Sequence, residues 1–315
     1  MNDDFYGYGY DHSFFDLHNI VSLPRFSDSL AKSVAKTKEG HQIIRYRKYS
    51  VVQHAERGFP ILTATNIDGN SFISIPRKEV FENGRDNWKK DSRLDDKYQL
   101  GNEFYKAEFS DFDRGHLTKR EDVQWGNSIE KARVGAQSTF YYTNSVPQRR
   151  EINRSIWLKI ENYILHNQAS HHNMKVNVFS GPVLKDDDPI FVTEVKGENI
   201  LIPTLFWKVV YYLTADNLLA RTAFLVGQKH LLEKHEIVLK SRSHSKEDEL
   251  FMGFSEAETF QVSVDLIEKL TGLYFSEALE IYQDQRPSHL VLEEVNVRGI
   301  DGETVQPFID GLKLM

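Results

Sequence analysis

The chain has 315 residues, 40% hydrophobic and 27% charged, with 20 Phe, 14 Tyr and 4 Trp; this suits one large folded domain or two small ones and excludes a disordered chain. It contains no cysteine, which removes disulfides, thiolate zinc sites, iron–sulfur clusters and cysteine nucleophiles together. Net charge is −7 but uneven: residues 246–315 hold 15 acids and 5 bases, so a near-neutral to basic body of +3 precedes an acidic C-terminal segment.

Residues 1–42 mix Asp, Ser, Gly and Lys without a sustained period and read as a peripheral N-terminal arm. The opening MNDDFYGYGYDH carries acids where a signal peptide would carry Lys or Arg, and no apolar h-region follows. As written, the chain is expected to be cytoplasmic, with delivery or non-classical secretion left open. No run is apolar for long enough to cross a bilayer, so no membrane partner is expected.

From Ile43 the pattern tightens. IIRYRKYSVVQ, the turn-like AERGF and PILTATNIDG predict a hairpin or two neighbouring strands. STFYYTN (138–144) predicts another strand. In EINRSIWLKIENYILHNQ, Ile152, Ile156, Ile160 and Ile164 recur every four residues, which predicts a helix with one apolar stripe. KVNVFSG (175–181), FVTEV (191–195) and NILIPTLFWKVVYYLT (199–214) predict further strands, and residues 261–282 a helix in two pieces broken near Thr271-Gly272. Strands dominate, so the expected class is α+β around a central, largely antiparallel sheet flanked by helices. The expected division is an arm over 1–42, one domain over 43–282 and an acidic C-terminal extension over 283–315.

No phosphate loop, HExxH zinc helix or GxSxG nucleophile elbow occurs. His166, His171 and His172 follow the Ile-periodic helix, and Asp186-Asp187-Asp188 lacks the spaced ligands and glycine of a calcium loop. Solvated histidines and a solvated turn account for both. One stretch does carry chemistry: Asp113-Arg114-Gly115-His116, then Asn144, Pro147-Gln148, Asn153, Trp157 and Glu161. Phosphodiester hydrolysis needs a base for water, a cation for the leaving oxygen and donors for the equatorial oxygens, and these residue types supply each. Glu161 lies eight residues beyond Asn153, about 12 Å along a helix, too far for both to chelate one ion directly. A hydrated Mg²⁺ held by Asn153, with Glu161 reaching its waters, suits that distance. Taken singly, the DRGH stretch also reads as a turn, Asn153 as an N-cap and Trp157 as core.

In order and internal spacing, DRGHL, STFYYTNSVPQ and NRSIWLKIE resemble the DNA/RNA non-specific endonucleases of the ββα-metal superfamily, with weaker likeness across residues 43 to 280. The resemblance implies a ββα-metal nuclease fold acting on DNA and RNA, with Mg²⁺ as cofactor and Mn²⁺ able to substitute, and products with a 5′-phosphate and a 3′-hydroxyl. It implies His116 as general base, Asn153 as direct metal ligand and Glu161 as holder of metal-bound waters. It further implies Asn144 as a positioning residue, Arg114 on phosphate with Asp113 bracing it, and Arg85, 31 residues before His116, as the arginine facing the transition state, with Arg93 close by as the alternative. Where many members have a Pro–Ala run after DRGHL, this chain has Thr118-Lys119-Arg120-Glu121-Asp122. Lys119 and Arg120 read either as substrate-binding charge beside the base or as a solvated loop, which puts substrate preference in doubt. A catalytically silent or partner-restrained nucleic-acid-binding protein is the competing expectation. A homodimer, and an inhibitor or activating partner engaging the acidic segment, are the further partners considered.

Overall fold

The computed structural model describes residues 8–153, 156–162, 164, 174–239, 259–284, 286–299, 302–310 and 312. Its strands are β1 (Arg25–Phe26), β2 (Ile44–Arg45), β3 (Tyr49–Gln53), β4 (Pro60–Asp68), β5 (Asp113–His116), β6 (Ser145–Gln148), β7 (Lys175–Val183), β8 (Leu205–Leu213), β9 (Leu219–Gly227), β10 (Thr259–Val262), β11 (Leu273–Tyr274), β12 (Leu279–Glu280), β13 (Ser288–Gly299) and β14 (Gly302–Asp310). The helices are α1 (Asp28–Lys32), α2 (Asn102–Tyr105), α3 (Ile129–Ser138), α4 (Arg150–Asn153), α5 (Ile156–Asn162), α6 (Lys229–Lys234) and α7 (Val264–Thr271). The main sheet runs β14-β13-β10-β9-β8-β7-β4-β3-β2 with antiparallel neighbours, and β12 adds to β9 in parallel. β5 and β6 form a separate antiparallel pair. The molecule is α+β, as its composition of elements predicts.

The central strands are apolar at both parities because both faces of the sheet are covered. On β8, Leu205, Trp207, Val209 and Tyr211 pack with Tyr10, Phe15, Val21, Ile267 and Phe275. The alternate residues Phe206 and Val210 pack with Phe104, Phe112, Leu117, Val146, Ile152 and Trp157. The second face therefore carries the β5–β6 pair and the helices that follow it. Ile152, Ile160 and Ile164 bury the predicted stripe there.

Several expectations change. The segment read as a peripheral arm is, from residue 8 on, part of the core: Tyr10 donates its hydroxyl to Val21 O at 2.9 Å, and both are buried. It shows no sustained period because its regular elements, β1 and α1, are very short and the rest is fastened by single side chains and hydrogen bonds; Asn66 Oδ1, for example, accepts from Asp11 N. STFYYTN is not a strand. It spans the end of α3, a single parallel bridge between Tyr141 and Lys89, and a 3₁₀ turn over Tyr142–Asn144, its aromatic rings buried all round. The helix α3 escapes a hydrophobic-period reading because it buries Ala132, Gly135, Ala136 and Ser138, residues too small to mark a stripe. In 261–282 only Val264–Thr271 is helical; Ser263 caps its start, and Gly272, in the left-handed conformation, ends it. The region considered a C-terminal extension forms the β13–β14 hairpin, joined to β10 through Ser288–Leu290. FVTEV makes isolated bridges, among them Phe191 with Val238. No described helix is long and apolar enough to cross a membrane. Asp186 and Asp187 occupy an exposed turn, whereas Asp188 is buried and pairs with Arg57 at 2.5 Å. His166, His171 and His172 lie outside the described residues.

A buried glutamine staples the β5–β6 unit to the sheet. Gln228, at the end of β9, donates from Nε2 to Pro147 O (3.0 Å) and Pro203 O (2.8 Å), and its Oε1 accepts from Arg149 N (3.0 Å). Gln228→Ala would leave three backbone groups without these partners in a buried place, so a loss of about 3 kcal/mol is expected in urea unfolding. A loss below about 0.5 kcal/mol would show that the staple carries no stability.

Candidate active site

The site is built on β5 and β6, whose register pairs Asp113 with Gln148, Arg114 with Pro147, Gly115 with Val146 and His116 with Ser145. Gly115 must lack a side chain: a Cβ there would stand 2.2 Å from Gln148 Oε1, and Gln148 is buried. The chain then enters α4 and α5 directly, so strand, strand and helix follow in the order that the motif spacing implied.

His116 sits in an aromatic bracket. Its ring lies 4.6 Å from Trp88 and meets Phe140 edge-on at 5.0 Å, centroid to centroid. Its Nε2 is buried and has no hydrogen-bond partner among the described residues. Burial, then the positive charges of Arg77 and Arg120, push its pKa down from 6.5 to about 3. The imidazole is therefore neutral at physiological pH, its lone pair unprotonated, and it is a weaker base than a free imidazole.

Asn144 lies at the close of the 3₁₀ turn rather than at a strand end. Its Oδ1 accepts from Thr118 N (2.9 Å), and its Nδ2 donates to Thr118 O (2.9 Å) and Thr139 O (3.0 Å). Its own carbonyl accepts from Leu117 N (3.1 Å), so it holds the chain that leaves His116 from two sides. Asn153 lies within α4 rather than capping its start, and its N–H bonds back to Arg149 O. Its Nδ2 donates to Asp113 Oδ2 at 3.0 Å, which orients the amide and leaves Oδ1 as the oxygen suited to a cation. Glu161, on α5, has 11% of its side chain exposed and pairs through Oε1 with Lys208 Nζ at 2.9 Å. Trp157 is buried in the core. Among the described residues no three His, Asp or Glu converge as a metal cluster.

The basic residues divide. Arg114 donates to Asn102 Oδ1 (2.9 Å) and lies over the rings of Tyr105 and Tyr142. Arg85 is exposed, its N–H bonded to Asn83 Oδ1, three residues before Trp88. Lys119 and Arg120 are not a solvated loop. Lys119 is buried and reaches Glu121 (2.6 Å) and Asn162 (2.5 Å), while Arg120 donates to Ile75 O and Glu121. Ion pairing with Glu121 holds both, so neither is the solvent-facing phosphate hook that its sequence position suggested. Beside them Asp122 is pushed up to about 7, chiefly by burial. Arg77, absent from the sequence reading, joins Arg120 in bearing on His116; it is braced by Asp86 through Nε (3.1 Å) and the terminal nitrogen (2.5 Å). Trp88 and Phe140 were also missed, although Trp88 stands inside GRDNWKKD.

His116 predicts a pH signature. The folded pKa lies below the unfolded one, so between about 6.5 and 3 the unfolded chain binds more protons and stability falls as pH falls. Above pH 6.5 the residue contributes nothing to this dependence. Imidazole ¹⁵N shifts should show His116 neutral at pH 5.5 in the folded protein; protonation with a midpoint near 6.5 would contradict the bracket.

The profile of the DNA/RNA non-specific endonuclease family matches residues 27–280. The protein y4fB of Sinorhizobium fredii (strain NBRC 101917 / NGR234) is 35% identical over 61% of this chain and 28% of its own length. Mitochondrial endonuclease G of Homo sapiens is 27% identical over 59% of this chain and 56% of its own length. The matches thus span about a quarter to about half of these relatives. A chain of the solved EndoG/EndoGI complex shares the fold, with a TM-score of 0.52 and 18% identity over 76% of this chain and 89% of that one. With its motif strand, imidazole and helix in this order, the chain belongs to the DNA/RNA non-specific endonuclease family.

Proposed function

We propose that the protein is a metal-dependent, sugar-non-specific endonuclease that hydrolyses DNA and RNA phosphodiesters, with His116 as its general base. The observation that carries this reading is the neutral imidazole, its Nε2 buried without a described protein partner, under the influence of Arg77 and Arg120. Such a group takes a proton from water as the water attacks phosphorus, and a bound phosphate would offset the two arginines, the smaller causes of its lowered pKa after burial. Asn144 keeps the base in place from the far side of its own peptide. Arg114 and Arg85 are proposed to meet phosphate oxygens. Phosphate contacts carry no base information, which suits a substrate range of both DNA and RNA. The products proposed are a 5′-phosphate and a 3′-hydroxyl.

The donor set fits a hard cation. Asn153 Oδ1, oriented through Asp113, would hold Mg²⁺ or Mn²⁺ directly, and Glu161 would hold its waters; ions that keep several waters and take few protein ligands suit one amide and one carboxylate. When bound, the ion neutralises charge building on the leaving oxygen. The structural likeness to a chain of the EndoG/EndoGI complex, in which EndoG is inhibited, supports proposing a protein inhibitor as a partner here as well.

Plasmid DNA and an RNA should be degraded with Mg²⁺ or Mn²⁺ and spared with EDTA. His116→Ala should lower the rate about 10³-fold with the fold retained. A folded His116→Ala protein cutting at the wild-type rate would remove the base, and intact nucleic acid in every lane would leave a silent scaffold.

A further inference from the structure

We infer that Lys208 is a positioning residue for this reaction: its buried ammonium ties the peptide next to His116 to the carboxylate of Glu161. The inference rests on the endonuclease reading above. Lys208 stands in the middle of β8 among Phe206, Trp207, Val209 and Val210, all buried, and is itself 2% exposed. Its place in the strand's alternation aims it at the face that carries β5, β6 and α5. Three oxygens surround its ammonium: Nζ donates to Leu117 O at 3.1 Å and Ser180 Oγ at 3.0 Å, and forms an ion pair, not a hydrogen bond, with Glu161 Oε1 at 2.9 Å. The Trp157 ring closes the remaining side, 5.3 Å from Nζ to its centroid.

Leu117 follows His116 directly. Its N–H is held by Asn144 and its C=O by Lys208, so the peptides leaving the base are fixed from opposite sides. The third contact reaches α5 and Glu161. One side chain of the sheet thereby joins the strand bearing the base to the helix bearing the carboxylate. The nearby charges are Asp122, Lys119 and Glu121: Asp122 responds to Lys208, Lys119 and Glu161, and Lys119 pairs with Glu121. A buried ion pair is often replaceable by apolar groups without loss of stability. Stability alone therefore does not require an ion pair at this point of an otherwise apolar strand, which leaves room for the positioning role.

The test is Lys208→Met, close in volume and without charge, with folding checked by circular dichroism and thermal melting. On an oligonucleotide duplex, kcat should fall about 30-fold while KM stays within about twofold, the pattern of a misplaced reacting group rather than a lost substrate contact. Mn²⁺ binding, read by electron paramagnetic resonance without turnover, should weaken about tenfold. Lys208→Arg should recover part of both losses. A folded Lys208→Met protein with wild-type kcat and wild-type Mn²⁺ affinity overturns the inference. If Lys208→Met does not fold, Ser180→Ala removes one of the three oxygens with little change of volume and should shift kcat and Mn²⁺ affinity the same way by a smaller factor; wild-type values there overturn it equally. An inactive wild-type protein that binds Mn²⁺ would defeat the endonuclease reading while the Mn²⁺ measurement still decides Lys208. A wild type that neither cuts nor binds Mn²⁺ ends both.

Discussion

The buried side-chain amide of Asn144 is the constraint on which the site depends. An amide with no access to water must place its donors and acceptor on protein groups or lose their full solvation. Asn144 does so with the two main-chain groups of Thr118 and the carbonyl of Thr139, joining the end of α3 to the chain just past His116. A two-stranded pair such as β5–β6 is marginal alone. Here it is held at one end by Asn144 and at the other by Gln228, both reaching it through backbone hydrogen bonds. The base is thus carried on a rigid mount although its own strand is only four residues long.

Charge at the site is arranged locally and does not follow the overall balance of −7. Arg77 and Arg120 bear on the imidazole, and each is anchored by a carboxylate, Asp86 and Glu121 respectively. Paired in this way, the cations keep their place without a phosphate present, while the rings of Trp88 and Phe140 flank the imidazole itself. The same economy of space explains Gly115: the backbone of the motif strand must pass directly under Gln148.

The parts of the fold that were legible share one property, a local pattern that matches its final surroundings. The apolar runs of β4, β7 and β8 and the isoleucine stripe before Ile164 predicted themselves. The ordered spacing from Asp113 to Glu161 was legible because β5, β6 and the helices after them form one contiguous unit. What escaped was set by distant neighbours. Phe140, Tyr141 and Tyr142 have strand-like composition, yet their pairing is a single bridge to Lys89. The N-terminal segment has no period because it is fastened residue by residue across the sheet. Lys208 did leave a trace, a lone charge in LFWKVV, but a charge in an apolar run does not say what it faces.

By itself, the sequence determined the α+β class, the family, and the types and order of the groups that can do hydrolytic chemistry, because these depend on local periodicity and on spacing along one unit of chain. Tertiary structure decided which cations bear on His116, that Lys119 and Arg120 are spent on Glu121, and that the base and Glu161 meet through Lys208. Burial and electrostatic neighbourhood are properties of space rather than of chain order, and only the packed sheet brings residues 77, 116, 161 and 208 into one environment.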